Sequence, residues 1–297
     1  MGAGIAGTYM PGLRLLSDVV DGKSQSRYIA FYTAFFGIGA ALSFALAGVI
    51  EPVAGWEMAF IYCAAGSVVS GVMVFFSVPA RKPVGAVHSI LFPLAAWRKI
   101  LANRPAAGYI FGYCVHCIEL FGSRSWMVAF LAFAAGVGSA GGSPWGPAAI
   151  AAFVNLCSVP ASIVGNEVAL RIGRRRWILI VMASSAIAGI VLAFAAPLHW
   201  ALLIGLLIFY SMLVMAESAT LTAGLVAAAP AELRGAAMGL YSLIGFGGGM
   251  FGPALFGAAL DLAGGQGSLA AWACGYAAIG AGCLAAPLVA RLLRAGR

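Results

Sequence analysis

The feature that most constrains this chain is a series of long apolar segments separated by short polar ones. About 20 consecutive apolar residues are needed to cross the hydrocarbon of a bilayer as a helix. Backbone polar groups in lipid must be satisfied within the segment itself, so each segment predicts a transmembrane α-helix. The segments are 28–50, 57–78, 106–134, 148–170, 177–196, 200–226, 235–260 and 268–290. Residues 1–16 are also apolar but too few for a complete span, and they predict the end of a further helix.

The composition excludes an ordinary soluble domain. Apolar residues make up 63% of the chain and charged residues only 9%, whereas a soluble domain carries about 25% charged residues. The net charge of +8 would suggest a nucleic-acid partner in a soluble protein. Here the basic residues lie between apolar segments, so we interpret them as determinants of membrane orientation and expect no nucleic-acid partner.

The basic residues mark one side of the membrane. Of the 17 lysines and arginines, all but Arg124 lie in alternate loops, at the start of the 235–260 segment or at the C-terminus. The opposite loops carry no lysine or arginine. The positive-inside rule therefore places the basic loops and the C-terminus in the cytoplasm, as expected for a protein of the plasma membrane or the bacterial inner membrane.

Two of the segments share a glycine pattern. The glycines are Gly37, Gly39 and Gly48 after Arg27, and Gly245, Gly247 and Gly257 after Arg234. Such a repeat is typical of a transporter with two parallel halves. The alternative is ordinary glycine-mediated packing of membrane helices, which needs no duplication.

Three motifs give the chain a family resemblance. They are Arg171-Ile-Gly173-Arg-Arg175-Arg176, Pro230-Ala-Glu-Leu-Arg234-Gly235-Ala-Ala-Met-Gly239 and Gly248-x-x-x-Gly252-Pro253. In combination they resemble the major facilitator superfamily, and the resemblance covers nearly the whole chain. It implies an all-α integral membrane protein, a helical bundle of about eight full transmembrane helices and a partial one. Ala169 and Leu170 stand where the family carries an aspartate.

The resemblance also divides the chain. Residues 1–78 would be the remainder of an N-terminal bundle, corresponding to the end of helix four and to helices five and six. Residues 79–105 would be the cytoplasmic central loop, with a short interfacial helix around 90–97, and residues 106–297 would be helices seven to twelve. Helices one to three would then be missing, which predicts an N-terminally truncated chain. The resemblance assigns Arg171, Gly173, Arg175, Arg176 and Arg234 to gating loops.

A polar stripe on segment 106–134 is the first candidate site. Its members are Tyr109, Tyr113, His116, Glu119 and Ser123. Their helical spacing places them on one face, which predicts either a cavity lining or a hydrogen-bonded network between helices. An ionisable group at mid-membrane costs on the order of 3 kcal/mol, so such groups point to function. His116 and Glu119 are candidates for a proton-coupling pair.

Other segments carry further candidates. Glu217 shares a face with Tyr210 and Thr220, and in the family that this chain resembles helices seven and ten line the central cavity. Asn155 belongs to a polar stripe on 148–170 that fits either the cavity or helix packing. Arg124 is either an anchor that extends to the interface or a binding site for a substrate anion.

The predicted function is that of a secondary transporter, which moves a small solute across the lipid bilayer by alternating access. Protons are the candidate coupling ion. We predict no enzymatic activity, no cofactor and no metal. The alternative is a truncated membrane fragment without transport activity, acting at most as a binding or assembly module.

Overall fold

A computed structural model describes residues 2–20, 22–78, 92–138, 143–285 and 291 of the chain. These residues form helices and turns, with no β-strand among them. The helices are α1 (Gly2–Val19), α2 (Gln25–Ser77), α3 (Leu94–Ala102), α4 (Arg104–Val137), α5 (Pro147–Ile172), α6 (Arg174–Phe194), α7 (Trp200–Ala216), α8 (Ser218–Ala228), α9 (Arg234–Leu262) and α10 (Leu269–Gly280). The predicted all-α membrane fold is confirmed.

Within the described residues, six helical stretches are long and apolar enough to cross a membrane, and α10 with its extension to Leu284 is a shorter apolar one. The first stretch, α2, contains two of the predicted spans, which meet at a kink inside the predicted interval 51–56. Gly55 alone departs from helical geometry, with φ 83° and ψ 165°. Glycine tolerates this conformation because it has no Cβ, so a single residue makes the kink.

Parts of two predictions lie outside the described residues. They are 79–91 of the predicted central loop and 286–290 of the last predicted span. In the remainder of that loop α3 forms, as the predicted short helix, over Leu94–Ala102. Asn103 then caps α4, because its side chain accepts a hydrogen bond from the Ala106 amide at 3.2 Å.

Glycines bring α9 into close contact with α4. A Cβ atom at Gly248 would lie 2.8 Å from the Cys114 carbonyl oxygen, and one at Gly252 would meet the carbonyl oxygen of Ile118. Because both obstacles are backbone atoms, any larger residue would force the helices apart. The Gly248-x-x-x-Gly252 motif therefore sets the distance between the two helices.

The repeated glycine pattern makes similar contacts in two places. A Cβ at Gly37 or Gly48 would lie 3.0 Å or 2.8 Å from side-chain atoms of α5. In α9, Gly245 lies against the Tyr113 ring, and a Cβ at Gly257 would lie 2.9 Å from Trp126. The middle glycines of both patterns, Gly39 and Gly247, meet nothing within 4 Å. The first and last glycines of each pattern thus serve helix packing.

Candidate functional site

A small cavity lies where α1 and α2 meet α4, α7, α8 and α9. Its lining residues are Tyr9, Thr33, Phe36, Tyr113, His116, Leu120, Phe121, Met215, Ser218 and Phe246. The cavity thus draws one wall from the N-terminal helices and the other from the later helices. Tyr32 holds α1 to α2 beside it, because its hydroxyl donates to the Tyr9 carbonyl at 2.7 Å.

Four aromatic rings on the cavity wall form a closed cycle. Tyr9, Phe36, Phe121 and Phe246 come from α1, α2, α4 and α9. Successive ring centroids lie 5.9, 6.2, 6.1 and 6.2 Å apart, and each neighbouring pair meets edge to face. This geometry is the favourable one for aromatic quadrupoles. We call these four residues the aromatic cycle.

His116 on the cavity wall pairs with Glu217. Its Nδ1 atom lies 3.2 Å from Glu217 Oε1, and both side chains are completely buried. The remaining polar atoms of the pair, His116 Nε2 and Glu217 Oε2, have no hydrogen-bond partner among the described residues. A buried polar atom without a partner is costly, so this pair is a site where a proton or a ligand would be stabilised.

Glu217 sits at a break in its helix. The segment that we predicted as one span, 200–226, divides into α7 and α8 at this residue. The Ala216 carbonyl accepts a hydrogen bond from the Trp177 indole at 2.9 Å, and Gly165 of α5 approaches the same oxygen closely. The inserted indole donor accounts for the break in a stretch that contains neither glycine nor proline at this point.

Glu119 lies in a different environment. Its carboxylate accepts hydrogen bonds from Ser185 at 2.9 Å, Tyr210 at 3.2 Å and the Cys283 thiol at 3.2 Å. It is absent from the lining of the cavity. The structure therefore pairs His116 with Glu217 and not with Glu119, because α8 faces His116 whereas α6 and α7 face Glu119.

Arg124 is buried without a carboxylate partner. Only 8% of the residue is exposed, and its guanidinium donates to the Met215 sulfur at 3.4 Å. Its Cζ atom lies 5.8 Å from the centre of the Phe36 ring. No ion pair of Arg124 occurs in the part of the chain that the structure describes. This interior position differs from that of an anchor extending to the membrane interface.

The other predicted site residues have varied surroundings. Tyr109 packs on Gly224, and Tyr113 stacks on Tyr241 with ring centroids 3.9 Å apart. Ser123 and Asn155 bond to carbonyls of their own helices, at 3.2 and 2.8 Å, which favours packing over binding for them. Thr220 is buried, and its hydroxyl has no partner among the described residues.

The arginine-rich end of the bundle carries an ion pair across helices. Arg27 of α2 binds Glu167 of α5 through two hydrogen bonds, of 2.6 and 3.0 Å. Beside it, Ser26 donates to Asn166 at 3.0 Å and accepts from Arg174 at 3.3 Å. We call these five residues the basic-end latch, because they connect the start of α2 to α5 and α6.

Of the predicted gating residues, Gly173 makes the link between α5 and α6 with a φ of 94°. Arg171 and Arg176 are exposed. The Nε atoms of Arg175 and Arg234 are buried and have no partner among the described residues. The prediction thus located this end of the bundle but missed its ion pair, although Glu167 beside a cluster of arginines was a usable signal.

A comparison with family models agrees with this architecture. The model of the Major Facilitator Superfamily matches residues 1–253. The chain belongs to the Major Facilitator Superfamily. Members of that superfamily are in general secondary transporters and not enzymes. No curated protein matches the chain.

For this Major Facilitator Superfamily chain, two buried acids on neighbouring helices have distinct environments. Glu119 is held by donors from three other segments, whereas Glu217 contacts the cavity through His116. The sequence analysis identified both acids but missed Ser185 and Cys283, the partners of Glu119. Neither residue belongs to a polar stripe, so their own segments gave no signal.

Proposed function

We propose that this protein moves a small solute by alternating access through the cavity between α1–α2 and the later helices, coupled to protons at the His116–Glu217 pair. The observation that carries the proposal is the position of this pair. Both side chains are buried, one of them lines the cavity, and each has a polar atom that finds no partner in the described part of the chain. A proton gained or lost there would change the charge beside a solute in the cavity.

The chemistry of the pair suits a single proton. With one shared proton, the pair exists either as neutral imidazole beside a carboxylic acid or as imidazolium beside a carboxylate, and both forms carry no net charge. Removing that proton leaves a net negative charge in a buried site, which is unfavourable unless something compensates for it. Two states that differ in charge can therefore favour two arrangements of the surrounding helices.

The groups around the pair define its electrostatic setting. Glu119 and Arg124 lie on α4 with His116, and Tyr113 stacks on His116 with centroids 5.7 Å apart. The three donors to Glu119 connect it to α6, to α7 and to the segment of Cys283. We assign Glu119 to holding α4, α6 and α7 together and Glu217 to proton coupling.

Two features support movement of the helices. Glu217 links α7 to α8 with φ −96° and ψ −19°, so a modest change of angle between these two helices would act directly on the coupling site. The basic-end latch joins α2 to α5 and α6 and so would close the cavity on that side. By the distribution of basic residues, this side would be cytoplasmic. Arg171, Arg175 and Arg176 lie close in sequence to Arg174 of the latch and would influence its opening.

A screen of solute uptake tests the proposal. The full chain would be reconstituted into liposomes that contain a pH-sensitive dye, and a panel of labelled organic anions, cations, sugars and amino acids would be offered. We expect at least one solute to cross faster than in empty liposomes and to move protons with it. The proposal fails if every solute crosses at the rate of empty liposomes, or if solute movement leaves the internal pH unchanged.

A further inference from the structure

We propose that the solute is a small organic anion with an apolar body. Its carboxylate would bind Arg124, and its body would lie against the aromatic cycle. This inference rests on the proposed transport function for its role in the cell. The binding itself follows from the cavity, and it can be measured without transport.

The first step of the argument is the charge of Arg124. A guanidinium is ionised under all ordinary conditions and offers five N–H donors. In this structure its described partners are a thioether and the face of a phenyl ring. Buried charges in proteins are normally paired, because the loss of hydration is otherwise uncompensated. Arg124 therefore lacks an anion, and the chain's described carboxylates do not provide one.

The second step is access from the cavity. Arg124 itself is not part of the cavity lining, but Met215 and Phe36, its two described partners, both line the cavity and lie between it and Arg124. A thioether is a weak acceptor on a flexible side chain. A carboxylate entering the cavity would displace the Met215 sulfur and offer the planar, two-oxygen geometry that a guanidinium binds best. Met215 would thus occupy the anion position when no solute is bound.

The third step is the character of the remaining wall. The four members of the aromatic cycle are partly exposed and meet edge to face, which leaves ring surface available to an apolar group. The lining contains few hydroxyls, those of Thr33 and Ser218 among them. A sugar would lose more hydrogen bonds with water than this wall could replace. An apolar body suits it better.

The same wall disfavours a cationic solute. Aromatic rings attract cations in general, but Arg124 already lies over the Phe36 ring. A second positive charge would lie close to this guanidinium in a medium of low dielectric constant, where repulsion is strong. Glu217 lies behind His116 and is not part of the cavity lining, and one of its oxygens is directed to His116. The balance of charge at the Phe36 end of the cavity therefore selects for an anion.

The test uses three probes of one shape. Benzoate, benzamide and benzylamine would be titrated against the purified full chain in lipid nanodiscs, with binding followed by calorimetry. We expect benzoate to bind at least tenfold more tightly than benzamide, and benzylamine to show no saturable binding. Arg124→Gln should weaken benzoate binding at least tenfold and leave benzamide binding unchanged, because only the charge-assisted contact is lost. Arg98→Gln, at an exposed arginine of α3, is the matched control and should bind benzoate like the unaltered chain.

Equal binding of benzoate and benzamide overturns the inference, and so does unchanged benzoate binding by a folded Arg124→Gln variant. If that variant does not fold, the comparison of the three probes on the unaltered chain decides the question alone. The proposed transport function and the anion site are contradicted by different outcomes. Benzoate that binds without any solute uptake contradicts transport and supports the anion site. Uptake of other solutes without benzoate binding supports transport and overturns the anion site.

Discussion

His116 Nδ1 and Glu217 Oε1 lie 3.2 Å apart in the buried interior, although 101 positions separate the two residues in the sequence. The contact joins α4 to the residue that links α7 and α8, so a change of protonation acts at the junction of these two helices. Glu119, one helical turn away from His116, has three donors of its own and no contact with the pair among the described hydrogen bonds.

The hydrogen bonds to Glu119 should contribute to stability more than to coupling. Tyr210→Phe and Ser185→Ala each remove one donor from a buried carboxylate, and we expect each to lower the free energy of unfolding by about 1–3 kcal/mol. Thermal unfolding in detergent micelles would measure the loss. Ser43→Ala is the control, because this exposed serine bonds only to its own helix. If either variant lost proton coupling while its stability stayed unchanged, the structural role of Glu119 would be contradicted.

Alanine substitutions at the glycines of α9 should change stability to an extent that depends on what each glycine faces. Gly252→Ala would place a methyl group against the Ile118 carbonyl, so the α4–α9 contact must open and stability should fall by about 1–3 kcal/mol. Gly247→Ala meets open space and should be neutral or stabilising by up to about 1 kcal/mol, because alanine favours the helix. Both variants would be compared by thermal unfolding. Equal effects of the two substitutions would refute the packing account.

The basic-end latch should respond to exchange of its charges. Arg27→Glu and Glu167→Arg each place like charges together, and we expect each to open the cavity on the arginine-rich side. The double variant restores opposite charges and should restore closure. The measurement is the labelling rate of Thr33→Cys, in the cavity wall, by a membrane-impermeant maleimide, with the chain lacking this substitution as background. Labelling that is insensitive to the single reversals, or not restored in the double variant, would contradict the latch.

Sequence reasoning was strongest where lipid imposes a simple rule. Apolar length alone located the helices, and helix packing was one of the two interpretations of the repeated glycine pattern. It also selected His116, Glu119 and Glu217, because an ionisable residue stands out in an apolar segment. It failed where the cause lies on another helix. The interruption at Glu217 involves a hydrogen bond from the Trp177 indole to the Ala216 carbonyl. Arg27 forms its ion pair with Glu167, which is 140 positions away in the sequence.

The kink at Gly55 is a second feature whose form the sequence analysis did not predict. The ends of two apolar segments predicted a loop over 51–56, whereas the structure makes the break with Gly55 alone. Local composition could not decide between a loop and a kinked helix here.

Gradient-driven transport by Glu217→Gln tests the central claim most directly. Liposomes carrying a solute identified by the uptake screen would be given a pH gradient of either sign, and the unaltered chain would be compared with Glu217→Gln and Glu119→Gln. We predict that Glu217→Gln abolishes accumulation driven by the pH gradient while solute exchange at equal pH continues, and that folded Glu119→Gln retains both. Accumulation by Glu217→Gln equal to that of the unaltered chain would contradict proton coupling at the His116–Glu217 pair.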